Sequence, residues 1–199
     1  MGILKALVSF LPGFLDCQIM KVKYQKIDFP SKEEYPAYAE MYMQWVKKDN
    51  TLLHQLEEAM KETIRLVDSL SEQQLNLRYA PNKWSIKELL VHIIDDERIY
   101  GYRALAFARN DKTELPGFEQ DDYANHSNAS ERSITNIMNE YIAVRESTIT
   151  LFNGFSKDSL LRIGLANTNQ TSVRALGYHI LGHELHHVNM IKKVYLEQN

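Results

Sequence analysis

The sequence has little cysteine, no excess of basic residues and no apolar run long enough to cross a membrane. Its single cysteine, Cys17, excludes an intrachain disulfide and fits a reducing compartment. Lys and Arg number 23 against 26 Asp and Glu, giving a formal net charge of −3, and no basic stripe is present for a nucleic-acid surface. The composition therefore predicts a cytoplasmic protein with no nucleic-acid partner and no membrane partner.

The sequence also lacks the alternation of apolar and polar residues that marks β-strands. Apolar residues instead recur every three or four positions in four long segments, at about 38–70, 84–108, 130–153 and 171–199. Amphipathic helices of this length bury their apolar faces by packing against one another. The prediction is an all-α domain folded as a four-helix bundle.

Local signals place the ends of these helices. Ser71 and Ser85 each stand three residues before a Gln or Glu, the capping-box spacing that opens a helix. Ser130 is the predicted N-cap of the third helix. The loop at 110–128, before that helix, is long for a compact bundle and is expected to cover one end of it.

The domain is expected to span residues 41–199, with residues 1–40 forming an irregular N-terminal extension that is in part disordered. The first 19 residues resemble a weak signal peptide, but a Pro-Gly pair interrupts the apolar run and no cleavage site follows. Met20 would serve as an alternative start. These signals favour a soluble protein without a leader.

The last helix contains two histidines in its apolar seam. The seam steps by three and four residues through Val173, Leu176, Ile180, His183, His187, Met190 and Val194. Apolar residues are expected at such positions, because burying a polar ring without a partner costs about 1–3 kcal/mol. His183 and His187 lie one turn apart on the same face, so their rings can bind one ion.

The second helix supplies a third histidine and a carboxylate, His92 and Asp96, also one turn apart. Facing helices that present H-x-x-x-D and H-x-x-x-H contain the parts of a metal site. The predicted ligands are therefore His92, His183 and His187, against the simpler reading of hydrogen-bonded core histidines. No cysteine is among them, so zinc, nickel, iron and manganese all remain candidates. The other histidines are predicted to be surface or outer-sphere residues: His54, His126, His179 and His186.

Residues 183–187 also satisfy H-E-x-x-H, in which two histidines bind zinc and the glutamate, here Glu184, activates water. Enzymes of this class commonly take a third ligand downstream, where this chain has Lys193. A metallopeptidase is therefore kept only as a minor alternative.

Four stretches resemble the DinB-like superfamily of four-helix-bundle, metal-dependent enzymes. They are WSIKELLVHIIDDE at 84–97, RAL at 103–105, LPGF at 115–118 and HELHH at 183–187. The resemblance extends from about Asp49 to Leu196. Family members often have glutamine where this chain has Met190, which leaves the ligands unaffected.

The resemblance implies that the three histidines bind one divalent metal ion. It also implies a hydrolase or a thiol S-transferase, in which the ion activates water or a low-molecular-weight thiol cosubstrate against a small electrophilic substrate. Asp96 or Glu97 is the predicted base or partner of a ligand imidazole, and Glu184 is a weaker candidate. A non-catalytic metal-binding or ligand-sensing bundle is the alternative, and in a structural metal site Asp96 would be the fourth ligand. A homodimer would be compatible with the fold.

Overall fold

The computed structural model describes residues 23–197. Three predictions lie outside the described residues: the signal-like segment with Cys17, the alternative start at Met20, and the last two residues of the fourth helix. Within residues 23–197, no helix combines the length and the apolar character that a membrane span requires.

The described residues form eight α-helices and one β-hairpin. These are α1 (Glu40–Met43), α2 (Leu52–Asp68), α3 (Glu72–Leu75), α4 (Ile86–Ala108), α5 (Gln120–Asn125), α6 (Ile134–Asn153), α7 (Lys157–Leu160), β1 (Ile163–Ala166), β2 (Asn169–Ser172) and α8 (Val173–Met190). Short 3₁₀ turns occur at Lys32–Glu34, Ala37–Ala39 and Ala129–Glu131, and a π-helical segment, Ile191–Leu196, continues α8.

The four long helices, α2, α4, α6 and α8, form the predicted bundle. Its neighbouring pairs are α4 with α8, α4 with α6, α2 with α6 and α2 with α8. Helices that follow each other along the chain are therefore diagonal at two of the three connections, from α2 to α4 and from α6 to α8. This order places α4 directly beside α8, the two helices that carry the predicted ligands.

Capping side chains confirm two predicted helix starts and correct a third. Ser85 accepts a hydrogen bond from the Glu88 amide while Glu88 reaches back to the Ser85 amide, and Ser71 makes the same box with Gln74. The N-cap of α6 is Ser133, whose side chain accepts from the Asn136 amide, and not Ser130. Ser130 lies instead in the preceding 3₁₀ turn.

Two further predictions about elements were wrong. The first helix does not run unbroken from residue 38, because the chain turns between α1 and α2 through Asn50, which has a φ of 63°. The segment before α8 is a hairpin, with Gly164 paired to Thr171 and Leu165 to Gln170. Its turn passes through Asn167 and Thr168, both with positive φ. Neither residue is glycine, so the usual hairpin signal is missing.

The part of the predicted extension that is described packs on the bundle. The Gln25 side chain donates to the carbonyls of Phe152, Asn153 and Phe155, at 2.8, 3.0 and 2.9 Å. Tyr42 lies against α8 at Gly182, where a Cβ atom would be 2.4 Å from the Tyr42 carbonyl oxygen. Glycine at this position therefore lets the backbone of α1 approach α8 one residue before His183.

The interior consists of two apolar clusters, one toward each end of the bundle. Leu56, Phe107, Phe152 and Leu176 belong to the first, whereas the second contains residues such as Ile86, Ile93, Ile137, Met138 and Ile191. Buried charged and histidine side chains belong to neither cluster and come from α4, α6 and α8, while α2 contributes the buried hydroxyl of Thr63. The candidate site lies among these polar residues.

Candidate metal centre

Helices α4 and α8 bring the three predicted ligands together. The Nε2 atom of His183 lies 3.1 Å from Nε2 of His92 and 3.1 Å from Nε2 of His187. One potential ligand atom from each ring can be chosen so that all three lie within 4.8 Å of one another. His92 and His183 are buried and His187 is partly exposed.

The three rings cannot satisfy one another by hydrogen bonds alone. A neutral imidazole has one donor and one acceptor nitrogen. If His183 Nε2 is the acceptor, its single lone pair can take a proton from one neighbouring ring, which leaves the other facing it without a bond. His187 Nδ1 is also buried and has no hydrogen-bond partner among the described residues. Since buried polar atoms are normally paired, these ring nitrogens require a further binding partner that the three histidines do not supply.

A metal ion fits the cluster. Two imidazole nitrogens on one tetrahedral zinc ion, each about 2.0–2.1 Å from it, are roughly 3.3 Å apart. The two separations that involve His183, 3.1 Å each, are close to this value, and all three ligand atoms lie within 4.8 Å of one another. The residues present are therefore suited to a divalent ion.

The rings are also in the protonation state that metal binding requires. Burial lowers the pKa of His92. Burial lowers the pKa of His183 well below its usual value, and the neighbouring His187 and His92 rings add to this effect. Burial, followed by the His92 and His186 rings, lowers the pKa of His187 to about 3. All three rings are therefore neutral at pH 7, so each can offer one unprotonated nitrogen to a metal ion.

Asp96 lies behind His183. Its Oδ2 is 3.4 Å from His183 Nδ1 and 3.6 Å from His179 Nε2. A carboxylate in this place favours the tautomer with a proton on Nδ1, so that Nε2 of His183 presents its lone pair to the other two rings. The structure thus places Asp96 beside a ligand ring, and the potential ligand group is His92, His183 and His187 without it.

Aromatic rings hold the histidine side chains. Trp84 lies 4.7 Å from His92 between ring centroids, at the start of α4. Tyr42 contacts His183 at 5.2 Å, and the ring of His179 stacks on Tyr100 at 3.8 Å. His179 was predicted to be either a surface residue or an outer-sphere residue. Because it is buried, it takes the outer-sphere position.

The remaining histidines are remote from this arrangement or at its edge. His54 contacts Tyr24, with ring centroids 4.8 Å apart, and His126 contacts the Asp122 carbonyl through Nδ1 at 2.8 Å. His186 is half-buried beside His187, at 5.1 Å between ring centroids.

Glu97 and Glu184 are brought to Arg145 instead of to the three rings. Arg145 Nη2 donates to Glu97 Oε2 at 2.7 Å, and its Nη1 is 2.6 Å from Glu184 Oε2. Glu184 Oε1 also accepts from Thr63 at 2.7 Å and from the Tyr141 hydroxyl. All five side chains are buried. We call this set, Thr63, Glu97, Tyr141, Arg145 and Glu184, the ion cluster.

The contacts of Glu184 in the ion cluster show whether the glutamate of the H-E-x-x-H motif is free to activate water. In peptidases with this motif the glutamate activates a water molecule on the metal. Here the Glu184 carboxylate is enclosed by partners from α2 and α6, with a side-chain exposure of 0%. The motif is therefore present in the sequence, but its glutamate is bound to buried residues of other helices and not to the three histidine rings.

A large cavity reaches the histidines at His187. It has a volume of about 880 Å³ and its walls come from the loop before α4, from α5 and from the end of α8. Polar and aromatic residues line it, including Arg78, Lys83, Trp84 and Gln120. The long loop predicted to cover one end of the bundle contributes Gln120 and Asp121. Small molecules therefore have room beside the metal-binding rings.

Sequence reasoning missed the role of Arg145. It stands in the buried stripe of α6, four residues after Tyr141 and three before Thr148, where an apolar residue is expected. A lone arginine at such a position requires a buried acidic partner. The sequence therefore signals a buried acidic partner, and the structure shows that Glu97 and Glu184 are the partners.

Comparisons with known proteins agree with the helical-bundle fold. The sequence model of the DinB superfamily matches residues 55–191. Among solved structures, YfiT from Bacillus subtilis, described as a probable metal-dependent hydrolase with an unusual four-helix bundle topology, is similar to this chain with a TM-score of 0.63. The two are 12% identical, and the match covers 86% of this chain and 94% of YfiT. A comparison with curated proteins gives no match.

Proposed function

The chain belongs to the DinB superfamily, and we propose that His92, His183 and His187 hold one divalent metal ion in a hydrolase or a thiol S-transferase. The observation that carries the proposal is the convergence of three Nε2 atoms, 3.1 Å apart at His183, beside an open cavity. The description of YfiT as a probable metal-dependent hydrolase supports the first of the two reaction classes.

The donor set narrows the choice of metal. Imidazole nitrogen suits zinc, iron and nickel, whereas manganese prefers oxygen ligands. The potential ligand group in residues 23–197 is three histidines without a carboxylate, so we favour zinc, nickel or iron over manganese. Three protein ligands also leave a coordination position for a small molecule, as in catalytic zinc sites.

The chemistry follows from neutral ligands and an open position. When bound, a divalent ion lowers the pKa of water from about 15.7 toward about 7 or deprotonates a thiol. Because all three imidazoles are neutral, they do not reduce the charge available for this effect. Asp96 Oδ2 lies 3.4 Å from His183 Nδ1, and we assign to this carboxylate the role of orienting a ligand ring.

The substrate we propose is a small polar electrophile bound in the cavity of about 880 Å³. Water or a low-molecular-weight thiol is the nucleophile. His187 forms part of the wall of this cavity, so the reacting groups meet at that side of the cluster. A cytoplasmic location, where such thiols are kept reduced, fits the single cysteine of the chain.

Elemental mass spectrometry of the purified protein tests the proposal. We expect about one zinc, nickel or iron ion per chain, lost in His187→Ala and kept in the control His126→Ala, whose ring contacts the Asp122 carbonyl of α5. A metal-free protein that cannot be reloaded would contradict the proposal. A bound ion that accepts no thiol or other small ligand would favour the non-catalytic metal-binding bundle.

A further inference from the structure

The ion cluster is joined to the candidate metal centre through the chain itself. Glu97 follows Asp96 on α4, and Glu184 follows His183 on α8. Arg145, on α6, holds both glutamates, with Nε 2.9 Å and Nη2 2.7 Å from Glu97 and Nη1 2.6 Å from Glu184. One guanidinium therefore connects the two residues that directly follow Asp96 and His183.

We propose that Arg145 is a positioning residue that sets the rotation of α4 and α8 so that Asp96 faces His183 Nδ1. This inference rests on the proposed metal site and names a residue outside it. Adjacent residues on a helix point about 100° apart, so fixing the direction of Glu97 also fixes that of Asp96. The same relation fixes His183 through Glu184.

The shape of the guanidinium suits this task. Arginine presents its donors in a planar fork, so it constrains the angle as well as the distance of each carboxylate. Arg145 uses the fork fully, because Nη1 also donates to the Leu56 carbonyl on α2 at 3.1 Å. All the long helices therefore meet at this one side chain. A slip or rotation of α4 against α8 would break these bonds as well as the Asp96–His183 contact.

Stability alone is a weak explanation for the ion cluster. Replacing a buried ion pair with apolar residues is often neutral or stabilising, so such a pair is poor evidence of a contribution to folding. Tyr141 and Thr63 also donate hydrogen bonds to Glu184, and these bonds restrict the position of its carboxylate further. A directional network of this kind specifies one register of the helices.

The test compares Arg145→Lys with Arg174→Lys. Both substitutions keep the charge and remove the fork from an Arg–Glu pair, because Arg174 of α8 donates to Glu34 through Nε at 2.7 Å and through Nη2. Arg174 lies at the start of α8, more than two turns before His183. The two variants therefore make the same chemical change. They differ in that only Arg145 is bound to residues adjacent to Asp96 and His183.

Two readouts are needed. The first is the visible spectrum and the dissociation constant of bound Co²⁺, and the second is the tautomer of His183 in the metal-free protein, from ¹⁵N NMR. We expect Arg145→Lys to weaken Co²⁺ binding by about 10-fold, at the lower end of effects from residues that support ligands. We also expect an altered spectrum and loss of the Nδ1–H form. Arg174→Lys should match the wild type in both.

Equal behaviour of the two variants would overturn the proposal. If Arg145→Lys does not fold, Glu97→Gln serves in its place. This substitution keeps the side-chain shape and leaves the ion pair between Arg145 and Glu184 intact. It should change the His183 tautomer in the same direction, and an unchanged tautomer would overturn the proposal. If the wild type binds no metal, the proposed function fails, while the tautomer measurement still decides the role of Arg145.

Discussion

The interior holds two polar clusters that differ in how their atoms are satisfied. In the ion cluster, Arg145 pairs with Glu97 and Glu184. Glu184 Oε1 accepts hydrogen bonds from Tyr141 and Thr63, and its Oε2, which has no hydrogen bond within the described residues, is ion-paired with Arg145 Nη1. In the histidine cluster, three ring nitrogens face one another, and His187 Nδ1 has no hydrogen-bond partner among residues 23–197. Both are buried, so burial does not distinguish them.

The difference shows which cluster is complete. Buried polar groups are costly unless they are paired, so a saturated cluster needs nothing further from outside the chain. A cluster whose acceptors point at a common centre is satisfied only when a cation occupies that centre. The first arrangement is suited to holding helices, and the second to binding an ion.

The largest effect is expected when the ion cluster loses its only cation. Arg145→Met leaves the buried carboxylates of Glu97 and Glu184 without a counter-charge, and the free energy of unfolding should fall by about 3–5 kcal/mol. Urea denaturation measures it. The control is Arg174→Met, which breaks a partly exposed pair with Glu34 and should cost about 1 kcal/mol or less. Equal losses of unfolding free energy would show that the ion cluster contributes no more to stability than the partly exposed pair.

Removal of one ring should abolish the function of the histidine cluster. His92→Ala takes away one of three metal ligands, so the dissociation constant for zinc should rise by more than about 100-fold, beyond the range of outer-sphere changes. Competition with a chromophoric chelator measures the constant. His54→Ala, on α2, removes a histidine that contacts Tyr24 and should leave affinity unchanged. Similar affinities in both variants would refute the ligand assignment.

Asp96→Asn tests the carboxylate that lies beside His183. The amide keeps the shape of the carboxylate but loses the charge that favours a proton on His183 Nδ1, so zinc affinity should fall by about 10- to 100-fold. Isothermal titration calorimetry follows the change. The neighbouring Asp95→Asn is the matched control and should retain affinity. No change in Asp96→Asn would mean that the carboxylate does not orient the ring.

The smallest effect concerns a pair outside both clusters, Glu34 with Arg174. Burial raises the pKa of Glu34, but hydrogen bonds from Arg174 and from the Ser31 amide outweigh it and lower the pKa to about 2. The ionised carboxylate therefore stabilises the fold above its usual pKa of about 4.3, and this contribution is lost as the pH falls toward 2.

The difference in unfolding free energy between wild type and Glu34→Gln isolates this pair. It should be on the order of 1 kcal/mol near pH 6 and should shrink between about pH 5 and pH 2. Denaturant titrations at several pH values measure it. A difference that is constant over this range would show that the ion pair does not act through charge.

Local sequence signals predicted the parts of the molecule that depend on nearby residues. The capping box of Ser85 and Glu88 gave the start of α4, and its apolar period gave the end at Ala108. The spacing of His183 and His187, with His92 on another helix, identified the group that the structure brings together. Helix geometry alone puts residues four apart on one face.

The remaining features depend on contacts between distant parts of the chain. Periodicity cannot tell which carboxylate of α4 faces Arg145, because Asp96 and Glu97 are adjacent and both are buried. The hairpin escaped prediction because its strands are four residues each and its turn uses Asn167 and Thr168 without glycine. The choice of Ser133 over Ser130 as the N-cap depends on how the preceding 3₁₀ turn packs.

Anomalous diffraction from crystals of the protein loaded with zinc would locate the ion. We expect one anomalous peak per chain, between the Nε2 atoms of His92, His183 and His187, with Glu184 still bound to Arg145 and not to the ion. A peak elsewhere, no peak, or an ion coordinated by Glu184 would contradict the distinction between a cluster that binds metal and a cluster that holds the helices.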